Sequence, residues 1–137
     1  MITIVCGAPG SGKTTYVSER HQTGDVIVDM DVLALALTTP DVAPYEYSDL
    51  VRQVAFYARQ AAVKEALKLA QSNRSINVWI IHTDPSPNQV SAYRILGAKL
   101  VWLDPGKAVC LERVQVRPAR QVRIAEKVIR EYYAKRA

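Results

Sequence analysis

The sequence predicts a single α/β domain over residues 1–137, in which a parallel sheet of four strands, or five, is covered by helices on both faces. Short apolar runs alternate with longer helical segments, the pattern of parallel strands joined by right-handed helical crossovers. A glycine-rich loop lies between the first apolar run and the first helix. Hydrophobic residues make up 49% of the chain and charged residues 23%, as in ordinary globular domains.

The first part of the chain is predicted as strand, loop and helix. Residues 2–6 form a β-rich run that enters the glycine loop, and a helix follows over residues 13–21. A second apolar strand covers residues 25–31 and ends in two carboxylates. Residues 38–47 include two prolines, so we expect a loop there.

The longest predicted helix covers residues 50–71, with Ser48 as its N-cap, because this stretch contains neither glycine nor proline. The remaining predicted elements are a buried strand (76–82), a helix (87–96) and a fourth strand (99–103). Two helices follow, over residues 107–116 and about 120–135, and a break at Pro118 separates them. Ligands are expected at the carboxyl ends of the strands, where parallel strands meet at one edge of the sheet.

Charge is unevenly distributed along the chain, which has a net charge of +5. Residues 1–105 carry 9 basic and 10 acidic side chains, whereas residues 106–137 carry 9 basic and 3 acidic ones. A basic last quarter indicates either a surface for a polyanion or a solvated helix face.

The N-terminal apolar run is too short for a signal peptide or a membrane span. Cys6 and Cys110 have neither the number nor the spacing of a disulfide framework or a zinc site. We therefore expect a cytoplasmic protein with two buried free thiols and no membrane partner.

The pattern G-x-x-x-x-G-K-[ST] is complete in residues 7–14, GAPGSGKT, between a predicted strand and a predicted helix. Backbone N–H groups of such a loop bind phosphate oxygens, Lys13 reaches the β- and γ-phosphates, and Thr14 ligates magnesium. The absence of an asparagine-lysine-x-aspartate motif favours ATP over GTP. We expect ATP and Mg²⁺ as ligands, and the predicted nucleotide-binding residues are Gly10, Ser11, Gly12, Lys13, Thr14 and Thr15.

Two aspartates end the second predicted strand. Asp29 and Asp31 are two residues apart, which places them on one face of a strand. Phosphoryl transfer to a hydroxyl needs a carboxylate that positions and deprotonates it, and either aspartate could serve. We favour Asp31, because Asp29 directly follows the apolar run and is free to point toward the magnesium or the loop.

The third predicted strand ends in His82, Thr83 and Asp84. A carboxylate that follows an apolar strand beside a phosphate loop can hold a magnesium-bound water, so Asp84 is a candidate metal residue. A lone histidine at a strand end is more often a hydrogen-bonded structural residue, and a catalytic role for His82 is the less favoured alternative.

Arg113 and Arg117 are four residues apart just before Pro118, and Arg120 and Arg123 follow. This spacing predicts that the first two share one helical face. Arginines on a segment that closes over a nucleotide neutralise the charge of the transferred phosphoryl group, so residues 113–123 are a predicted lid. The alternative is a solvated basic helix.

In this order, these motifs resemble the kinase domain of phage-type polynucleotide 5′-kinases, in the P-loop kinase group, and are similar to small bacteriophage-encoded P-loop ATPases. The resemblance covers nearly the whole chain and implies that Asp31 is the general base. It also implies that Arg113 contacts the nucleotide and that Arg117 stabilises the phosphates. That family usually has an arginine three residues after the base, where this chain has Ala34.

Three functions stay open at this stage. The first is an ATP-dependent kinase, with Lys13, Asp31 and Arg117 as catalytic residues, that acts on a nucleic-acid 5′ end or a nucleotide. The second is a kinase for a nucleoside or small metabolite, of the compact gluconate or shikimate kinase type, which Ala34 favours. The third is a nucleotide-binding ATPase or switch without a phosphoryl acceptor. The sequence predicts no oligomeric state.

Overall fold

A computed structural model of the chain describes residues 1–137. Four strands form one sheet, in the order β2-β3-β1-β4, and all neighbouring strands are parallel. This confirms the predicted four-stranded parallel α/β fold. The strands are β1 (Ile2–Cys6), β2 (Val26–Val28), β3 (Val78–His82) and β4 (Lys99–Trp102).

Six α-helices surround the sheet, and no helix is both long enough and apolar enough to cross a membrane. They are α1 (Lys13–Ser18), α2 (Met30–Ala36), α3 (Asp49–Ser72), α4 (Pro87–Ile95), α5 (Lys107–Arg113) and α6 (Ala119–Ala134). As predicted, the Ser48 hydroxyl caps α3 by accepting a hydrogen bond from the Val51 N–H, at 3.2 Å.

Both faces of the sheet are buried at its centre. Ile4 and Val5 point to opposite faces of β1, and both are fully buried. One core cluster joins the Ile4 face to α3 and α4, and a second cluster packs α5 and α6 against Ala8 of the glycine loop. Cys6 and Cys110 are buried free thiols, as the sequence predicts.

The second strand is shorter than predicted, and the helix that follows it was missed. β2 ends at Val28, and Asp29 is the N-cap of α2. The Asp29 side chain accepts a hydrogen bond from the Asp31 N–H at 3.0 Å. The prediction that Asp29 and Asp31 share a strand face is therefore wrong. An aspartate followed by a run of leucine and alanine favours a capped helix over a continued strand.

The segment before Pro118 is also less helical than predicted. Helix α5 ends at Arg113, a short 3₁₀ helix covers Val114–Val116, and Arg117 is extended, with φ −75° and ψ 161°. Arg113 and Arg117 therefore do not share a helical face. The physical reason is Pro118, whose ring disfavours helical geometry in the preceding residue.

Candidate active site

A cavity of about 930 Å³ lies at the carboxyl ends of the strands. Its volume falls within the usual range of small-molecule sites. Its lining brings together every residue that the sequence predicts for nucleotide, metal or catalysis: Gly10, Ser11, Gly12, Lys13, Thr14, Thr15, Asp29, Asp31, His82, Asp84, Arg113 and Arg117. Arg120 and Arg123 do not line it, and Arg120 instead pairs with Asp49.

The glycine loop forms one wall of the cavity as a tightly curled backbone. Gly10 has φ 79°, and a Cβ at this position would lie 2.8 Å from the carbonyl oxygen of Cys110. The Ser11 hydroxyl is buried in the loop and has no hydrogen-bond partner within the protein. Buried hydroxyls normally have partners, so this orphan fits a ligand oxygen, as a phosphate would supply.

Gly10→Ala should destabilise the protein by about 1–3 kcal/mol more than Gly97→Ala. Gly97 has nearly the same φ, 78°, but no atom lies within 4 Å of a Cβ there, so both variants share the strain of a left-handed alanine. The difference in the free energy of unfolding between the two variants therefore reports the close packing of the loop against α5. Urea denaturation measures both free energies. Equal losses of stability would show that this packing contributes nothing.

Lys13 extends across the loop. Its Nζ donates hydrogen bonds to the carbonyl oxygens of Gly7, at 2.6 Å, and Ala8, at 2.9 Å. Burial, and then the positive charge of Arg117, lowers the pKa of Lys13 to about 8. A triphosphate close to Lys13 would favour the charged amine and would reverse this shift.

We therefore expect ATP affinity to be nearly constant below pH 7.5 and to fall about tenfold per pH unit above pH 8. Because the free protein loses the Lys13 proton above pH 8 and the complex retains it, ATP binding at pH 9 should take up a proton. Calorimetry in buffers of different ionisation enthalpy measures both effects. Lys13→Arg is the matched control, since its guanidinium stays charged and its affinity should not fall over this range.

Thr14 lies beside Asp29, and its Oγ1 donates to Asp29 Oδ2 at 3.5 Å. Burial, and then the negative charge of Asp31, raises the pKa of Asp29. Because both effects disfavour the charged carboxylate, a cation beside it would be favourable. No group of three or more His, Cys, Asp or Glu side chains forms a metal cage. At phosphate sites Mg²⁺ is usually bound by one or two carboxylates together with phosphate oxygens, and Asp29 is a carboxylate of this cavity.

Asp84 also lines the cavity, but its carboxylate faces the C-terminus. Oδ1 accepts from Arg136 at 3.0 Å, and Oδ2 lies 3.6 Å from Lys135 Nζ. The metal role of Asp84 stays a prediction, and the geometry makes Asp29 the partner of Thr14. The sequence already indicated Asp29 for this position, because it directly follows an apolar strand.

Asp31 lies in the first turn of α2, where Tyr47 holds its side chain. The Tyr47 hydroxyl donates to Asp31 Oδ1 at 2.5 Å. Tyr47 is buried, and burial together with this hydrogen bond raises the pKa of the phenol, so it remains a donor at neutral pH. The sequence places Tyr47 correctly in a loop, but it does not reveal this contact, which forms only through the packing of α2 on α3.

Arg113 and Arg117 reach the cavity by different routes. Arg113 Nη1 donates to the carbonyl oxygen of Gly10 at 3.2 Å, which places it against the glycine loop. The guanidinium of Arg117 lies over the ring of Tyr45, with Cζ 4.3 Å from the ring centroid. The structure thus brings both arginines to one site, although they share no helical face.

Helix α3 contributes two arginines that sequence reasoning missed. Arg52, Phe56 and Arg59 lie on the cavity side of α3, at the i, i+4, i+7 spacing of one helix face. Arg59 Nη2 donates to the carbonyl oxygen of Ile81 at 3.0 Å, and neither arginine pairs with a carboxylate. This spacing was a signal in the sequence, inside a helix that was predicted correctly.

His82 is held at the end of β3. Its Nδ1 lies 3.3 Å from the Tyr93 hydroxyl, and the two rings make an edge contact. Burial, and then the charge of Arg59, lowers the pKa of His82 to about 4, so the ring is neutral near pH 7. The hydrogen bond fits the structural role that the sequence favours for His82.

Comparisons with known proteins agree on the fold. The sequence matches the AAA domain family over residues 2–137. The structure is similar to that of shikimate kinase from Acinetobacter baumannii in complex with shikimate, with a TM-score of 0.53 and 21% sequence identity. That match covers 98% of this chain and 75% of the other. No curated protein matches the sequence, and neither match names a polynucleotide kinase, so that part of the resemblance is not confirmed.

Proposed function

The chain belongs to the AAA domain family, and from that premise we propose that it is an ATP-dependent phosphotransferase whose acceptor is a small anionic molecule with a hydroxyl group. One observation carries the proposal. The glycine loop, a tyrosine-held carboxylate and an excess of unpaired cations line one cavity.

The nucleotide half of the cavity is the glycine loop with Arg113 and Arg117. The loop N–H groups, the Ser11 hydroxyl and Lys13 suit the phosphates of ATP. Thr14 and Asp29 would hold Mg²⁺, which neutralises phosphate charge when it is bound. Arg117 would stabilise the negative charge on the phosphoryl group during its transfer.

In the proposed reaction, an acceptor hydroxyl oxygen attacks the γ-phosphorus of ATP. Its proton passes to Asp31 as the new phosphorus–oxygen bond forms. The bond to the bridging oxygen breaks, and ADP leaves with that electron pair. Positioning and charge stabilisation account for most of the catalysis in such transfers.

The charges of the cavity favour an anionic acceptor. Five cationic side chains that line the cavity make no ion pair. Only two carboxylates of the lining, Asp29 and Asp31, make no ion pair, so positive charge is in excess. The five are Lys13, Arg52, Arg59, Arg113 and Arg117. ATP phosphates would use Lys13, Arg113 and Arg117, which leaves the two α3 arginines for a carboxylate or phosphate on the acceptor.

A nucleic-acid 5′ end is the second candidate, and it depends on the basic last quarter of the chain. Much of that charge is paired within the molecule: Arg120, Lys127, Arg130, Lys135 and Arg136 each form an ion pair. Arg113 and Arg117, which also belong to this region, line the cavity. A continuous free basic surface for a polyanion is therefore less well supported than an anionic pocket.

The test compares hydroxyl compounds in neutral and anionic pairs, with ADP formation as the readout. Glycerol with glycerol 3-phosphate and ribose with ribose 5-phosphate are suitable pairs, beside a 5′-hydroxyl oligonucleotide. We expect the anionic member of a pair to stimulate ADP formation. Stimulation by the oligonucleotide alone would favour the second candidate, and ADP formation that no acceptor changes would favour an ATPase or switch.

Arg52→Gln should raise the KM for the stimulating acceptor about tenfold to hundredfold and leave the KM for ATP within twofold. Arg74→Gln is the matched control, because Arg74 lies on an exposed part of the chain outside the cavity. Equal acceptor KM values for the two variants would contradict the assignment of Arg52 to the acceptor.

A further inference from the structure

The segment Tyr45–Tyr47, between α2 and α3, contacts both residues that the proposed reaction assigns to its reacting groups. The Tyr45 ring supports the Arg117 guanidinium, and the Tyr47 hydroxyl donates to Asp31. Both tyrosines line the cavity. One short stretch of chain therefore joins the two sides of the site.

The backbone of Tyr45 is unusual. Its φ is 64°, and it is the one non-glycine residue of the chain with a positive φ. Such a conformation is strained for an L-residue and persists only where the surroundings impose it. The next residues impose it here, because the Glu46 N–H donates to the Ala43 carbonyl at 3.0 Å and Tyr47 is buried against α2 and α3.

Arg117 has few other constraints. It lies in extended backbone before Pro118, and it makes no ion pair. A free arginine side chain loses rotamer entropy when it is fixed in one position. A ring that holds it in place beforehand lowers that cost during the reaction. A second link joins the same parts of the fold, since Arg120 pairs with Asp49 at the start of α3.

We propose that Tyr45 and Tyr47 are positioning residues: Tyr45 holds Arg117 in the cavity that the glycine loop also lines, and Tyr47 holds Asp31 toward the acceptor. The proposal rests on the proposed function for its effect on turnover. The left-handed turn at Tyr45 is what allows one segment to direct one tyrosine to each of these residues. Neither tyrosine takes part in bond making.

Three substitutions at position 45 separate stacking from backbone strain. Tyr45→Phe keeps the ring and should keep kcat within about threefold of wild type. Tyr45→Leu removes the cation–π contact and should lower kcat about fivefold to tenfold, with the KM for ATP within twofold. Tyr45→Gly also relieves the strain, so it should lower kcat equally while Tm stays the same or rises.

Tyr47→Phe removes one hydrogen bond to Asp31 and preserves the buried ring. We expect kcat to fall about tenfold, with the KM for ATP unchanged and Tm nearly unchanged. Tyr57→Phe is the matched control, because Tyr57 is exposed on α3 outside the cavity, and it should behave as wild type. A normal kcat for Tyr47→Phe would overturn the role of Tyr47.

A readout without catalysis keeps this proposal separate from the proposed function. Backbone amides of residues 113–123 should exchange hydrogen faster in Tyr45→Leu and Tyr45→Gly than in wild type, and at the wild-type rate in Tyr45→Phe. If this pattern holds while no acceptor is phosphorylated, the proposed function fails and the Tyr45 contact stands. If Tyr45→Leu matches wild type in both exchange and kcat, the role of Tyr45 is overturned.

Discussion

The Asp31→Asn protein is expected to transfer phosphoryl groups about 10²- to 10⁴-fold more slowly than wild type, with nearly unchanged affinity for ATP. Asparagine has almost the same shape and can still accept the hydrogen bond that the Tyr47 hydroxyl donates to Asp31 Oδ1 at 2.5 Å. The substitution therefore removes the base and keeps the geometry. Steady-state kcat at saturating ATP and acceptor measures the loss, and calorimetry measures the affinity.

Two further substitutions make this result specific. Asp41→Asn changes an exposed carboxylate outside the cavity and should have no effect. Asp29→Asn keeps an N-cap for α2, because asparagine caps as well as aspartate, and should mainly raise the Mg²⁺ concentration needed for activity. The two roles must be exchanged if Asp29→Asn loses turnover and Asp31→Asn retains it with a higher Mg²⁺ requirement.

Arg117→Met should lower kcat about 10²- to 10³-fold, because it removes a charge aimed at the transferred phosphoryl group. Arg123→Met is the matched control: Arg123 belongs to the same predicted lid, but it does not line the cavity. We expect the control to keep wild-type kcat, and Arg117→Lys to recover only part of the loss, because an ammonium lacks the planar fork. Equal losses in Arg117→Met and Arg123→Met would indicate a general effect of lid charge.

The sequence was sufficient for the sheet, the loop and the long helix, because each has a strong local signal. β1 is mostly apolar and directly precedes a complete phosphate-loop motif, and α3 has a serine cap and no helix breaker. Local signals conflicted at residues 29–31, where the preceding apolar run suggests a continued strand and Asp29 also caps a helix. The cap determines the observed structure there.

The contacts between distant side chains could not be predicted in the same way. Tyr47 and Asp31 meet through the packing of α2 on α3, and Arg117 meets Tyr45 only once α5 and α6 are folded over the loop. Arg52 and Arg59 were visible as one helix face, but which side of α3 faces the cavity depends on how it packs on the sheet. Tertiary packing therefore adds these residues to a site whose nucleotide half is evident from the sequence.

The central claim is that the terminal phosphoryl group of ATP passes to a hydroxyl of an anionic acceptor. ATP labelled in its γ-phosphate, incubated with Mg²⁺ and each acceptor pair, tests it most directly. We predict that label appears on the anionic acceptor with wild type and with Asp41→Asn, and that Asp31→Asn forms almost none. Release of the label only as inorganic phosphate, whatever the acceptor, would contradict the account.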